Sequence, residues 1–223
     1  MTALFRTLSR LRRKRIFHPF GVGFEARLTP LGEGTGAEAL DSEARALVRL
    51  SRSAGLPEAL PDPCGLAFRV PDAFGPGAHQ DLLLVSSAAP PVGRHTLLPS
   101  RGFADRPYSS VLPYELRGET VMLGARALAP RPGPKLADLG ELERVALEFE
   151  VLVAELTGDW RPVARLALGD RLPPEQTERL RLDPTNTGGG LELVGLLNKL
   201  RGPAYAASQE GREAAYERSG VPN

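Results

Sequence analysis

Residues 145–168, VALEFEVLVAELTGDWRPVARLAL, decide the class of fold. Large apolar residues recur at every second position from 145 to 153, which is the period of a strand with one buried face. Residues 157–159 supply a turn and residues 160–168 return the chain. The stretch therefore predicts an antiparallel hairpin, and the rest of the chain is interpreted around it.

The same two-residue period predicts further strands upstream of this hairpin. They cover residues 17–29, 45–52, 64–70 and 80–87, together with a hairpin over 109–128 that turns at Arg117-Gly118. Long Pro-, Gly- and Arg-rich connections separate them, a loop over 88–107 and a linker over 130–135. About eight antiparallel strands result, enough to close a barrel whose interior can hold one small ligand.

Helical segments are expected at the two ends of the chain. Residues 2–15, TALFRTLSRLRRKR, form a basic amphipathic arm that could pack on its own domain, on a partner subunit or weakly on an anionic membrane surface. The pattern becomes helical and loop-like again from Pro173 onward. We therefore expect an α+β fold, with an arm over 1–16 and a single domain over 17–223. The barrel covers about 17–170 in this interpretation, and a tyrosine-bearing helical segment covers about 190–218.

Composition narrows the functional classes. The 223 residues are 42% apolar and 25% charged, which is typical of a soluble globular protein. A net charge of +1 argues against nucleic acid as a partner. One cysteine fits a reducing, cytoplasmic location, and with only three histidines beside it a closed zinc site is not expected.

A tyrosine near the C-terminal end suggests redox chemistry. In residues 196–212, LLNKLRGPAYAASQEGR, helical spacing puts Arg201, Tyr205, Ser208 and Arg212 on one face. A neighbouring Arg favours phenolate over phenol, but ionising a free Tyr at neutral pH still costs about 4 kcal/mol. A ferric ion can supply most of that, and tyrosinate is a known axial ligand of haem iron. The simpler alternative is an amphipathic helix in which the tyrosine only packs.

Seven pieces of the chain resemble, in the same order, segments of the haem catalases. RKRIFHPFGVGFEARL resembles the opening segment of that family, ALVRLSRSAG its R-F-S strand and LPDPCGLAFRV its R-D-P-x-G-F-A strand. DLLLVSSAAPP stands in place of D-L-V-G-N-N-T-P, and PYSSVLPYELRGETVMLGARA in place of the G-Y-G-x-H-T-F hairpin. LRLDPTNTGGGLE resembles F-D-P-x-N-x-x-x-G-I-E, and RGPAYAASQEGR resembles the R-x-x-x-Y-x-D-T-Q-x-x-R helix. The chain is similar to a minimal catalase, which implies a catalase-like barrel.

The resemblance implies a proximal side and a set of propionate ligands. Tyr205 would be the proximal iron ligand, and Arg201 would stabilise its phenolate. Arg15, Arg49 and Arg212 would bind the haem propionates. Arginine suits that role because two carboxylates removed from water need cationic, preferably bidentate partners.

The resemblance also implies a distal side, but an altered one. His18 would be the distal acid/base residue and Ser51 would orient it, because a tunable imidazole can move a proton between the two oxygens of a peroxide. The distal asparagine is absent: its position falls near Ser86 or Ser87, and a serine hydroxyl there, assigned to Ser86, could still hydrogen-bond peroxide. Small residues replace the bulky ones that follow in the family, AAPP at 88–91.

The implied activity is cleavage of the O–O bond of hydrogen peroxide or an organic hydroperoxide, with peroxidase activity stronger than catalase activity. The expected cofactor is haem of the b type with its iron, and the reductant is unidentified. One alternative is a catalase-related isomerase or peroxygenase acting on a fatty-acid hydroperoxide. Another is a barrel that binds haem for storage or sensing without catalysis. The chain could also form a homo-oligomer.

Overall fold

A computed structural model describes residues 20–194, apart from residues 33, 36, 55, 58 and 130–132. It contains ten strands: β1 Phe20–Pro30, β2 Ala44–Arg52, β3 Cys64–Val70, β4 Gln80–Ser86, β5 Tyr108–Ser109, β6 Tyr114–Leu116, β7 Glu119–Ala127, β8 Glu148–Glu155, β9 Arg161–Arg171 and β10 Leu191–Leu193. Two short helices, α1 Leu136–Glu141 and α2 Pro174–Arg179, accompany them. The predicted arm over 1–16 lies outside the described residues, as does the tyrosine-bearing segment from 195 onward.

Eight of the strands close into an antiparallel barrel. They follow one another as β1, β2, β3, β4, β5, β7, β8 and β9, and β9 pairs again with β1. The short strands β5 and β6 both pair with β7, and β10 extends the sheet beyond β6. The predicted eight-stranded antiparallel barrel is confirmed. Residues 191–193, at the start of the predicted helical segment, are a strand instead, because they hydrogen-bond to the open edge of β6.

Side chains fill the interior of the barrel. Phe24, Phe68 and Phe149 are completely buried there, and the Tyr108 ring meets Phe149 edge-on at 5.9 Å between centroids. Even-numbered residues of β1 to β4 point inward because side chains alternate along a strand. The expectation that the interior holds a ligand is wrong: the volume is occupied by a packed core.

A buried arginine helps to fasten the predicted long loop over 88–107 to the barrel. Arg94 is buried, and its guanidinium donates hydrogen bonds to the backbone oxygens of Glu155 (3.2 Å) and Gly158 (2.9 Å). The same group lies 4.3 Å from the ring centre of Trp160, a favourable cation–π distance. Burial lowers the pKa of Arg94, and the nearby Asp159 opposes that shift. The loop is thereby held against the turn between β8 and β9.

A second, smaller apolar cluster lies outside the barrel. Leu172, Leu180 and Leu182, which flank α2, pack against side chains on the outside of β2, β3 and β4. Within the part of the chain that the structure describes, no helix is long and apolar enough to cross a bilayer.

Candidate functional site

Strands β1 to β4 present a patch of mostly small residues on the outside of the barrel. Their registers align Gly21 with Ser51, Ser51 with Gly65, and Gly65 with Val85. The next row on the same side aligns Gly23, Arg49, Ala67 and Leu83. Odd-numbered residues point outward here because the even-numbered ones fill the core. We call this patch the outer face: Gly21, Gly23, Arg49, Ser51, Gly65, Ala67, Leu83 and Val85.

Arg49 places a permanent charge on the outer face. Only 4% of its surface is exposed, and its guanidinium lies directly over Gly21. A methyl group added at Gly21 would come within 2.5 Å of Arg49 Cζ and 2.6 Å of Nη2. Glycine is therefore needed at position 21 for the arginine to lie flat along β1. Arg49 and Ser51 share one face of β2, and Leu50 lies on the opposite face.

Ser51 lies beside Arg49, one row nearer the start of β1. It is 3% exposed and faces Gly21 across the β1–β2 ladder. The preceding pair in that ladder is Phe20 with Arg52, so the described chain begins two residues after His18 and next to Ser51. Two of the three described residues predicted for the site, Arg49 and Ser51, are thus brought together.

Ser86 is the third, and it lies on the other side of its strand. Its hydroxyl donates to the Leu98 backbone oxygen (2.6 Å) and accepts from the Cys64 backbone N–H (2.9 Å). Ser86 is completely buried, so these contacts favour a bridging role over contact with a substrate. Alternation from Val85 instead brings Ser87, also fully buried, to the side of the outer face. The two-residue period of β4 is the signal that distinguishes these serines.

The other five predicted site residues lie outside the described residues. They are Arg15, His18, Arg201, Tyr205 and Arg212. Their assignment stays a prediction.

Sequence reasoning missed the border of the outer face. Leu180 and Leu182 pack on Ala67 and Leu83, covering the end of the face next to Arg49. Helix α2 covers Gly23: a methyl group added there would lie 2.5 Å from Thr177 Oγ1. A helix start at Pro173-Pro174 was the available signal, since proline is favoured at the first helical positions.

The described residues contain no group of three or more His, Cys, Asp or Glu able to hold a metal ion. Burial raises the pKa of the Cys64 thiol to about 12, so this sulfur stays protonated and is a poor metal ligand. Burial also raises the pKa of Tyr108, whose hydroxyl donates to the Phe103 backbone oxygen at 2.8 Å. The outer face instead combines small residues with one buried guanidinium.

The eight strands that close on themselves define the class of fold, an antiparallel eight-stranded barrel. Two solved structures share it. A fungal catalase matches with a TM-score of 0.66 at 12% identity, over 94% of this chain and 62% of that one. A bacterial catalase matches with a TM-score of 0.64 at 17% identity, over 95% of this chain and 60% of that one. The chain therefore has the catalase fold and spans about three fifths of the length of those catalases. Neither a protein-family model nor a curated protein matches the sequence.

Proposed function

We propose that this protein is a haem-dependent hydroperoxidase of the catalase type, which cleaves the O–O bond of hydrogen peroxide or organic hydroperoxides. The observation that carries the proposal is Arg49, a buried guanidinium on a small-residue face of a barrel with the catalase fold. A haem propionate is the carboxylate that this fold suggests for such a guanidinium.

The outer face fits a haem in two respects. Gly21, Gly65 and Ala67 carry no bulky side chain, so a flat ring can approach the strands closely. An arginine can bind a carboxylate through two parallel N–H donors, a geometry that lysine cannot match. Because the interior of the barrel is a packed core, a site on the outside is the more favourable one for such a ligand.

Bound haem would supply a redox-active iron for the reaction with peroxide. In this proposal Tyr205 would hold the iron as a phenolate, and Arg201 would keep the phenolate ionised. Arg49, with Arg15 and Arg212, holds the propionates.

The distal residues would transfer the proton of the peroxide substrate between its two oxygens. His18 would take the proton from one peroxide oxygen and return it to the other, so that the O–O bond breaks and the second oxygen leaves as water or an alcohol. The organic reductant would supply the two electrons and two protons that convert the first oxygen to water. Ser51 fixes the orientation of the imidazole by a hydrogen bond, which is why its burial beside Gly21 matters. Such general acid–base transfer contributes about 10²–10⁴-fold to a rate.

The residues after β4 favour substrates larger than hydrogen peroxide. Ala89 and Pro90 are exposed and small, so they leave space beside the outer face near Ser87. An open approach suits an organic hydroperoxide and an organic reductant. Peroxidase turnover would then exceed dismutation.

A haem-binding or haem-sensing protein is the second candidate. The contacts of Ser86 favour it, because the hydroxyl nearest in sequence to the missing asparagine is already engaged by Cys64 and Leu98. Haem bound without turnover would support this candidate.

Peroxide turnover by the haem-loaded protein tests the proposal. Wild type is expected to consume hydrogen peroxide and cumene hydroperoxide in the presence of an organic reductant, and His18→Ala to lose at least 100-fold. His95→Ala is the matched control, because His95 is exposed and only contacts the Val111 backbone oxygen. Equal rates for wild type and His18→Ala would refute the mechanism. Rearrangement of a fatty-acid hydroperoxide without reductant would favour isomerase chemistry.

A further inference from the structure

A buried carboxylate holds a distant segment of the chain against the barrel. Asp81 is completely buried and receives four hydrogen bonds. Arg69 donates two of them in a bidentate pair, Nε to Oδ1 and Nη2 to Oδ2, each at 2.6 Å. The Asp183 backbone N–H (2.7 Å) and the Asn186 side-chain amide (3.0 Å) donate the other two to Oδ2. Removing a carboxylate from water is tolerated only when its lone pairs are satisfied in this way.

The partners of Asp81 come from two parts of the chain. Arg69 and Asp81 face each other across β3 and β4, whereas residues 181–187 lie more than 100 positions later in the sequence. Two backbone contacts reinforce the junction: Arg69 Nη2 donates to the Arg181 oxygen (2.6 Å), and the Asp81 N–H donates to the Asn186 oxygen (2.8 Å). The ion pair therefore clamps residues 181–187 across the outside of the sheet.

The clamped segment carries the border of the outer face. The apolar cluster that contains Leu180 and Leu182 packs on Ala67 and Leu83, the row next to the clamp on the same side of the sheet. Ala67 is in register with Arg49, so the cluster lies next to the strand position of Arg49. Apolar contact is not directional, so the leucines alone do not fix where they lie relative to Arg49. The hydrogen bonds to Asp81 fix that position.

We propose that Asp81 is a positioning residue for the cofactor. With Arg69 it holds residues 181–187 so that Leu180 and Leu182 wall the haem beside Arg49. The cofactor part of this inference rests on the proposed function. The clamp itself can be tested without haem.

Limited trypsin digestion of the full-length, haem-free chain tests the clamp. The readout is cleavage of the Arg181–Leu182 bond, followed by mass spectrometry. Asp81→Asn is expected to speed that cleavage at least tenfold. Asn186→Ala, which leaves three of the four donors in place, is the milder variant should Asp81→Asn fail to fold, with cleavage still several-fold faster. Asp170→Asn is the matched control, because its carboxylate is 65% exposed in a surface pair with Arg144. Cleavage of both clamp variants at the wild-type rate would overturn the inference.

Haem titration tests the positioning role. Asn186→Ala is expected to raise the dissociation constant for haem at least fivefold and to change the shape of the Soret band, while the melting temperature of the haem-free protein stays within a few degrees of wild type. If haem affinity and the shape of the Soret band were unchanged although cleavage at Arg181 was faster, Asp81 would have no role in positioning haem. The clamp would then be purely structural. Absence of haem binding in wild type would instead mark failure of the proposed function, with the digestion result still deciding the clamp.

Discussion

Gly21→Ala tests whether the guanidinium of Arg49 packs over Gly21. The added methyl group would lie 2.5 Å from Arg49 Cζ, 2.6 Å from Nη2 and 2.8 Å from the Leu50 backbone oxygen. The guanidinium can move aside because it ends a flexible side chain. The Leu50 oxygen cannot move alone, because Leu50 is in register with Val22 in the β1–β2 ladder. The substitution must therefore shift both the backbone and the arginine.

The expected magnitude follows from these contacts. Forcing an extra methyl group into a packed site costs about 1–3 kcal/mol. For a chain of this size each kcal/mol lowers the melting temperature by about 2–4 °C, so a fall of about 2–12 °C is expected. A displaced guanidinium also loses a hydrogen bond to a charged group, worth about 1.5–3 kcal/mol, so haem affinity should fall about 10- to 150-fold.

Thermal unfolding and haem titration of two variants measure these effects. Gly169→Ala, in β9, is the matched control, because its added methyl group would meet only the Glu25 backbone oxygen at an ordinary 3.7 Å. The control is expected to unfold within about 1 kcal/mol of wild type and to bind haem normally. If Gly21→Ala behaved like Gly169→Ala in both assays, the description of Arg49 over Gly21 would be wrong. If only stability fell, Arg49 would not contact the cofactor.

Three other predictions concern groups away from Arg49. Ser86→Ala should lower the free energy of unfolding by about 1–3 kcal/mol in urea titrations, because the buried Cys64 N–H loses its acceptor. Peroxide turnover should stay within twofold of wild type, and a large loss of turnover would indicate a catalytic role for Ser86. Arg94→Leu should cost about 2 kcal/mol and shift Trp160 fluorescence, and unchanged stability and emission would contradict the fastening of the loop. The folded protein keeps Cys64 and Tyr108 protonated at high pH while the unfolded chain releases those protons. Stability should therefore fall above about pH 8.5 because of Cys64 and above about pH 10 because of Tyr108, by up to about 1.4 kcal/mol per pH unit for each group. Cys64→Ala should make that decline shallower in urea titrations from pH 8 to 11, and an identical slope would count against the raised pKa of this thiol.

The barrel could be predicted from the sequence because its signals are local. The bounds of β3 are those that the two-residue period predicted, and the hairpin turns at Arg117-Gly118 as expected. Both turn residues have positive φ angles, 49° and 88°, which match the twist of a tight hairpin. Each of these features depends on a few consecutive residues.

The border of the outer face could not be predicted in the same way. Leu172, Leu180 and Leu182 follow neither a strand nor a helix period, and they become a cluster only when the chain returns to the barrel. Two of the donors to Asp81, the Asp183 backbone N–H and the Asn186 side-chain amide, lie more than 100 residues away, and no local pattern indicates such contacts. Ser86 was chosen over Ser87 by its place in a motif, whereas strand alternation decides which of them is near the outer face. The division into an arm over 1–16 and a single domain over 17–223 stays a prediction.

The absorption spectrum after haem reconstitution tests the central claim most directly, in wild type, Tyr205→Phe and Tyr108→Phe. The control removes a buried hydroxyl that bonds only to Phe103 inside the barrel. We expect wild type and Tyr108→Phe to show the same high-spin ferric Soret band, and Tyr205→Phe to shift or lose it. The absence of a Soret band in wild type, or a Tyr205→Phe spectrum identical to wild type, would contradict a tyrosinate-ligated haem on this barrel.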